Sequence, residues 1–268
     1  MAKYSSTKAS NFWSKRLEST DPLSAVLTYN APKALNAAYD HWEKESLKSV
    51  LPKSLKRKRA LDIGSGIGRI ALALAQLGAA VTAVDISGAM LKLLKKRIHK
   101  EKLAVSVNTV QSSSDNLPFG DDSFDIVTCF GLLEHLPEEV RRQTMFEAFR
   151  VMKPKGKFFV VVNNTDCVFL KESYKMKEQR EDGYFVTLVG LDWLRKFCDL
   201  KQMEMRVIAA NPMYALVHYY VSPNRKRFFG SERNFERFCT NAMKFQLSDS
   251  LSNPGLNRLA SHFMVQIT

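Results

Sequence analysis

An apolar segment that runs into a glycine-rich turn constrains this fold more than any other feature of the sequence. The segment is Ala60–Ile63, and the residues from Arg69 to Leu77 beyond the turn have helical character. A second apolar run, Val81–Asp85, follows and ends on an acid. Strand, turn, helix and strand in this order indicate a β-α-β unit, in which the two strands lie parallel in one sheet.

The turn itself is suited to a nucleoside cofactor. Glycines allow close approach of a ligand because no Cβ is present and positive φ is permitted. Asp85 lies roughly 20 residues beyond the turn, where a doubly wound sheet places an acceptor for ribose hydroxyls. The dinucleotide fingerprint G-x-G-x-x-G does not fit, because Arg69 occupies its last position and Gly68 comes one residue early.

The pattern D-x-G-x-G-x-G from Asp62 to Gly68 instead resembles motif I of the class I S-adenosylmethionine-dependent methyltransferases. Further segments resemble later parts of the family pattern in the same order: Val84–Ser87, Ser113–Phe119, Phe124–Leu136 and Arg150–Gly156. The resemblance is to the small-molecule branch that includes the ubiquinone-biosynthesis methyltransferases, and it fades outside this central region.

Two positions depart from the family pattern. Ser113 stands where the family usually has an Asp that bonds the adenine amino group, and Asp115 could take over that bond. Lys155 replaces the first glycine of the usual P-G-G turn, which we expect to change only the turn.

The expected fold is α/β, a Rossmann-like doubly wound, mostly parallel seven-stranded sheet. Alternating strand and helix signals predict the parallel sheet, and the resemblance implies that the last strand is antiparallel. The expected regions are an N-terminal helical lid (1–52), a cofactor-binding core (53–210), a helical, basic and aromatic insertion (211–260) and the last strand (261–268). The expected strands are 59–63, 80–85, 104–110, 124–129, 157–163, 203–210 and 261–267, and the expected helices are 68–77, 88–101, 138–152, 190–199 and 231–247.

The resemblance implies S-adenosylmethionine as cofactor and S-adenosylhomocysteine as product. The residues that it assigns to the methionine half, the ribose and the adenine are Asp62, Gly64, Ser65, Gly66, Asp85, Ile86, Ser113, Ser114, Asp115, Cys129 and Phe130. Asp85 would bind the ribose and Ile86 would pack on the adenine. Cys129 and Phe130 would run beside the methionine half, largely through backbone atoms.

The loop Gly131–Leu136 should face the acceptor, since ligands of open α/β sheets bind beyond the carboxyl ends of the strands. His135 is the natural general base because its ordinary pKa lies near neutrality, and the alternative is a histidine that only orients its neighbours. Glu134 either binds the acceptor or supports the site. Among the lid and insertion aromatics, we expect Tyr39, Trp13 and Tyr214 to contact the substrate.

The positive net charge of the chain suggests a competing function. The chain of 268 residues has 40 Lys and Arg against 27 Asp and Glu, a net charge of +13, which favours an anionic partner such as nucleic acid. However, the N/D-P-P-Y/F/W element that holds an exocyclic base amine is absent. We therefore expect methyl transfer to a small molecule, most readily to oxygen, with an RNA or tRNA methyltransferase and a non-catalytic S-adenosylmethionine-binding regulator as the alternatives.

Other partners follow from the insertion and the composition. Arg225–Phe229 and its flanking tyrosines could bind an anionic or amphiphilic acceptor, a membrane surface or a second subunit, so a homodimer stays open. The four cysteines lack C-x-x-C spacing and predict buried thiols without a metal. No run is long enough for a membrane span and no apolar signal region is apparent, so a cytoplasmic protein is expected.

Overall fold

The computed structural model describes residues 4–29, 31–104, 106–167, 169, 178–179, 182–249 and 258–268, with the backbone alone for 178–179 and 243–249. The strands are β1 (Arg59–Ile63), β2 (Ala80–Asp85), β3 (Val107–Gln111), β4 (Phe124–Cys129), β5 (Met152–Asn163), β6 (Glu178–Gln179), β7 (Phe185–Val186), β8 (Met205–Ala210) and β9 (His262–Ile267). The expected seven-stranded sheet is confirmed, and β6 and β7 form a separate small hairpin.

The order of strands in the large sheet is β3-β2-β1-β4-β5-β9-β8. Strands β1 to β5 pair in parallel, whereas β9 runs antiparallel to both β5 and β8, as expected for the last strand. The order reverses between β1 and β4, because β2 and β3 extend to one side of β1 and the later strands to the other. In doubly wound sheets a ligand crevice opens at this switch point, beyond the carboxyl ends of the strands.

The helices are α1 (Ser6–Ser19), α2 (Pro22–Val26), α3 (Lys33–Val50), α4 (Arg69–Gln76), α5 (Gly88–Lys100), α6 (Glu138–Val151), α7 (Leu191–Leu200), α8 (Pro212–Leu216), α9 (Arg225–Phe229) and α10 (Glu232–Asp249). A 3-10 turn, Leu133–His135, precedes α6. One π-helical turn, Val217–Val221, and one 3-10 turn, Ser222–Asn224, join α8 to α9.

Both faces of the sheet are buried, as parallel sheets require. Successive residues of a strand point to opposite faces. Phe158 and Phe159 of β5 illustrate this alternation, since both are fully buried but belong to different core clusters. One cluster includes Trp42 of α3, and the other includes Leu194 of α7.

The N-terminal helices and the insertion cover one side of this core. Helix α1 packs on α5, and α10 packs on α3 with Phe235 fully buried. Helix α10 corresponds to the helix expected at 231–247, and residues 250–257 of the expected insertion lie outside the described residues. Strand β5 begins at Met152 rather than 157, because Met152 pairs with Phe124 before a shift in register.

The basic residues before β1 lie far from the crevice along the strand direction. Lys56, Arg57 and Lys58 are exposed and precede the amino end of β1, whereas the glycine turn follows its carboxyl end. The four cysteines are buried, as expected. In the part of the chain that the structure describes, none of the helices is long and apolar enough to cross a membrane.

Candidate active site

A pocket opens at the carboxyl ends of β1, β2 and β4 and is covered by α1. Nine of the residues that the sequence assigns to the cofactor line it: Asp62, Gly64, Ser65, Gly66, Asp85, Ile86, Ser113, Ser114 and Phe130. The strand order thus brings together segments that are up to about seventy residues apart in sequence, as the switch-point rule predicts.

The glycine turn is held in place by the acid at the end of β2. Gly64 and Gly66 have φ values of +68° and +51°, which residues with a Cβ rarely adopt. The Asp85 carboxylate accepts hydrogen bonds from the backbone N–H groups of Gly66 at 2.7 Å and Ser87 at 2.8 Å. Burial raises the pKa of Asp85 against these two bonds. Each carboxylate oxygen keeps a second acceptor site, so ribose hydroxyls can bind without displacing Gly66.

A second acid lies below the glycine turn. Asp62 accepts hydrogen bonds from the Thr128 hydroxyl at 2.7 Å and from the Ala71 backbone N–H, at the start of α4, at 3.0 Å. Burial raises the pKa of Asp62 to about 7, although these bonds and the nearby Arg69 charge oppose the shift. Asp62 is therefore an acid whose charge is sensitive to any cation that enters the pocket.

Ser65 provides the test of whether a ligand fits this turn. Its hydroxyl is buried and, among the described residues, has no hydrogen-bond partner. Buried polar atoms nearly always have a partner, so a polar ligand atom is the natural complement to this hydroxyl. Together with two acids and a glycine backbone free of Cβ atoms, Ser65 makes the turn suitable for the polar half of S-adenosylmethionine.

Two of the residues assigned to the cofactor, Asp115 and Cys129, do not line the pocket. Ser113 lines the pocket, and its hydroxyl donates a hydrogen bond to Asp115. Asp115 adds to the effect of burial in raising the pKa of Tyr4 to about 12. Cys129 is buried in the core cluster that contains Leu133, because the residue before it, Thr128, already points to Asp62.

A second cavity adjoins the pocket and shares four residues with it: Val26, Arg69, Gly131 and His135. Two of the residues expected to contact the substrate, Tyr39 and Tyr214, line this second cavity, with their ring centroids 4.7 Å apart. Trp13, the third, lines the pocket and packs edge-on against the His135 ring at 4.9 Å. The predicted residues are therefore divided between two adjacent spaces.

His135 lies between these two spaces. Its Nδ1 atom is 2.9 Å from the Phe185 carbonyl oxygen, which can only accept, so Nδ1 donates and Nε2 keeps a lone pair. Burial lowers the pKa of His135 to about 4, and the Arg16 charge adds to the shift. The histidine is neutral at pH 7 and can accept a proton at Nε2.

Glu134 lines only the second cavity. Its carbonyl accepts a hydrogen bond from the Thr187 backbone N–H at 2.9 Å, which fixes the loop against the chain beyond β7. Burial raises the pKa of the Glu134 carboxyl, and the Arg141 charge only partly offsets it. Arg141 itself is engaged elsewhere, since it donates to the carbonyls of Leu133 and Leu136.

The residues of the second cavity that the sequence reasoning missed include Glu43, Arg69, His218 and His262. Arg69 is buried and forms ion pairs with Asp40 at 3.0 Å and Glu43 at 2.5 Å. Its position in the sequence could have indicated this role. Arg69 directly follows the third glycine and is the charged first residue of a largely apolar helix. The two histidines come from distant segments and carried no such signal.

Comparison with known proteins agrees with this geometry. Residues 61–160 match the family model described as "Methyltransferase domain". The match covers 100 of the 268 residues of the chain. The matched region contains the glycine turn and the strands β2, β3 and β4.

Curated relatives are similar over part of their length. The chain is 32% identical over 142 residues to the ubiquinone/menaquinone biosynthesis C-methyltransferase UbiE of Bartonella tribocorum, covering 50% of this chain and 53% of that protein. It is 37% identical over 113 residues to the ubiquinone biosynthesis O-methyltransferase of Xanthomonas oryzae pv. oryzae, covering 41% and 46%. The chain thus spans about half the length of the curated relatives it matches.

Solved structures share the fold over more of the chain. A putative sarcosine dimethylglycine methyltransferase from Galdieria sulphuraria superposes with a TM-score of 0.57 at 16% identity, over 97% of this chain and 96% of that one. Phosphoethanolamine N-methyltransferase 1 from Haemonchus contortus, solved with S-adenosylhomocysteine, gives a TM-score of 0.63 at 15% identity, over 98% and 49%. At these identities the likeness concerns the fold.

Proposed function

We propose that this chain is an S-adenosylmethionine-dependent methyltransferase whose acceptor is a small molecule with an oxygen nucleophile. The methyltransferase domain and the pocket at the switch point support the cofactor. The second cavity supports a small acceptor, because it shares His135, Gly131 and Arg69 with the pocket and lies next to it. The observation that carries the proposal is this shared wall with His135 in it.

Bound S-adenosylmethionine supplies an electrophilic methyl group on a sulfonium. Methyl transfer then requires mainly that the acceptor atom is held in line and close to that methyl group. In this proposal Asp85 binds the ribose, Ser65 and Asp62 bind the methionine half, and Gly131 forms part of the passage between the two spaces.

An oxygen nucleophile must also lose a proton. His135 Nε2 is the group in the shared wall with a free lone pair, and the Phe185 carbonyl holds the ring in that tautomer. Proton removal by a positioned base typically contributes 10²–10⁴-fold to a rate. His135 is accordingly the proposed general base and Glu134 a group that contacts the acceptor.

The experiment combines binding and product detection. We would first titrate the full chain with S-adenosylhomocysteine by calorimetry, and then incubate it with methyl-labelled S-adenosylmethionine and extract from its source cells. The proposal expects label in solvent-extractable small molecules. Label in nuclease-sensitive material would instead support the RNA methyltransferase, and cofactor binding without any transfer would support the regulator.

The positions of the basic residues give less support to an RNA methyltransferase than to a small-molecule one. The exposed basic residues before β1 lie at the opposite end of that strand from the pocket. In the insertion, Arg225 forms an ion pair with Glu232 at 2.9 Å, which reduces its availability to an anion. A small-molecule acceptor therefore remains the function that the site favours.

A further inference from the structure

The second cavity has walls rich in aromatic rings. Five tyrosines line it: Tyr29, Tyr39, Tyr184, Tyr214 and Tyr219. Histidine rings extend the same surface, and His218 stacks on Tyr214 with ring centroids 5.6 Å apart. The negative faces of such rings attract cations, and the attraction is largest where water is excluded.

The two arginines that line the cavity, Arg69 and Arg16, already have partners within the chain. Arg69 is held between two carboxylates, those of Asp40 and Glu43. Arg16 donates to the Leu27 carbonyl at 3.1 Å, and its guanidinium lies 4.9 Å from the centroid of the Tyr29 ring and 5.3 Å from that of Trp13.

The cavity histidines add no positive charge at neutral pH. Burial lowers the pKa of both His135 and His262 to about 4, and it also lowers the pKa of His218. The Nδ1 atom of His218 is buried and, within the described part of the chain, lacks a hydrogen-bond partner. A ligand that entered the cavity would thus meet neutral rings with acceptor nitrogens.

Glu134 is the acid of this cavity without a matching cation. Among the described residues it forms no ion pair and receives no side-chain hydrogen bond, whereas Glu43 pairs with Arg69. Its charge also raises the pKa of neighbouring acids, including Tyr39 and Glu43. A part-buried carboxylate without an ion pair is better accommodated when a cation accompanies it.

We propose that the acceptor carries an ammonium group, which lies against Glu134 and the tyrosine faces of the second cavity while the nucleophile faces His135. This inference rests on the proposed function and specifies its substrate class. A neutral analogue of the same shape leaves Glu134 unpaired, so the cavity selects for positive charge rather than for size alone.

The test uses two probes of nearly equal shape, choline and 3,3-dimethylbutan-1-ol, which differ in the positive charge. Both are titrated into the full chain saturated with S-adenosylhomocysteine, and binding is followed by calorimetry and by ligand-observed NMR. We expect choline to bind at least about tenfold more tightly than the neutral alcohol, the scale of a desolvated cation–aromatic contact.

Two variants assign this preference to the cavity. Glu134→Gln should reduce the preference by about tenfold and leave S-adenosylhomocysteine affinity within about twofold, because Glu134 does not line the cofactor pocket. Glu139→Gln makes the same chemical change at an exposed neighbouring position and should keep the preference.

The outcomes separate the two proposals. Equal binding of the two probes, no binding of either, or a preference that survives Glu134→Gln would overturn the ammonium acceptor while cofactor binding still supports a methyltransferase. Failure to bind S-adenosylhomocysteine would overturn the proposed function, and this inference with it.

Discussion

The Asp85 carboxylate and the Gly66 backbone N–H are joined by a 2.7 Å hydrogen bond that links the end of β2 to the glycine turn after β1. The same carboxylate caps the start of the next segment through the Ser87 N–H. Asp85 therefore sets the shape of the turn and, in the proposed function, binds the ribose.

Asp85→Asn should weaken S-adenosylhomocysteine binding by about 10–100-fold, because a charged hydrogen-bond acceptor is replaced by a neutral one in a buried site. Calorimetry measures the loss. Asp125→Asn is the matched control, since Asp125 also accepts from a backbone N–H, that of Arg59 at 3.0 Å, but at the amino end of β1. An equal loss in both variants would contradict a specific role for Asp85.

Asp62 should make cofactor affinity depend on pH. Its pKa in the folded protein is about 7, above its ordinary value of 3.8, so the carboxyl is largely protonated at pH 6 and ionised at pH 8. The methionine ammonium favours the ionised form, and binding below pH 7 therefore releases a proton. Affinity for S-adenosylhomocysteine should rise about tenfold from pH 6 to pH 8, as linkage requires for one such proton.

The variant Asp62→Asn removes this titration. Its affinity should be lower and nearly constant over the same pH range, whereas Asp125→Asn should keep the wild-type slope. Calorimetry in buffers of different ionisation enthalpy would count the released protons. A wild-type affinity that is constant between pH 6 and pH 8 would show that Asp62 does not contact the ammonium.

Much of this site follows from local sequence and one topological rule. The strand, the turn and the acid of β2 are each contiguous patterns, and the switch-point rule then places Asp85 beside Gly66. The side chain of Cys129 is buried in the core, and period-two alternation with Thr128 gives this direction once Thr128 is known to bond Asp62.

The second cavity could not be predicted in the same way, because it is built from contacts between remote segments. The Thr28 and Tyr214 hydroxyls lie 3.0 Å apart although 186 residues separate them. His262 comes from β9 and packs against Tyr39 of α3. No periodicity within either segment indicates such neighbours, and the aromatic residues alone could equally have been core.

His135 should be needed for turnover but should not titrate near neutrality. With the labelled small-molecule product as readout, His135→Ala should lower kcat by about 10²-fold or more if it is the general base. In the wild-type protein its pKa of about 4 lies below pH 6, so kcat should be flat with respect to this group between pH 6 and pH 9.

The exposed His99 provides the control, and His99→Ala should keep full kcat. A rise in kcat with a midpoint near 6.5 would indicate a solvated histidine, contrary to the buried ring described above. Full activity of His135→Ala across pH 6 to 9 would leave His135 as an orienting residue.

Replacing only one partner of the buried Arg69–Glu43 ion pair should strongly destabilise the folded protein. Both side chains are buried, so Arg69→Met leaves Glu43 without its cation, and we expect a loss of about 3–5 kcal/mol in the free energy of unfolding. Adding Glu43→Gln should recover part of it. Urea unfolding measures both, and Arg195→Met, which breaks an exposed pair with Asp192, should change little.

Among the glycines of the turn, Gly68 should tolerate substitution least, because a side chain there would clash with its neighbours. It has φ +79° at the start of α4, and a Cβ there would lie 2.2 Å from Cδ1 of the fully buried Leu94. Gly68→Ala therefore combines left-handed strain, about 1–2 kcal/mol, with overpacking of about 1–3 kcal/mol.

Gly230 separates these two costs. Its φ is +68° but a Cβ would meet no atom within 4 Å, so Gly230→Ala should show the strain alone. The difference between the two variants in urea unfolding measures how firmly α5 holds the glycine turn through Leu94. If Gly68→Ala is no more destabilising than Gly230→Ala, then α5 can move away, and the turn is not fixed by this contact.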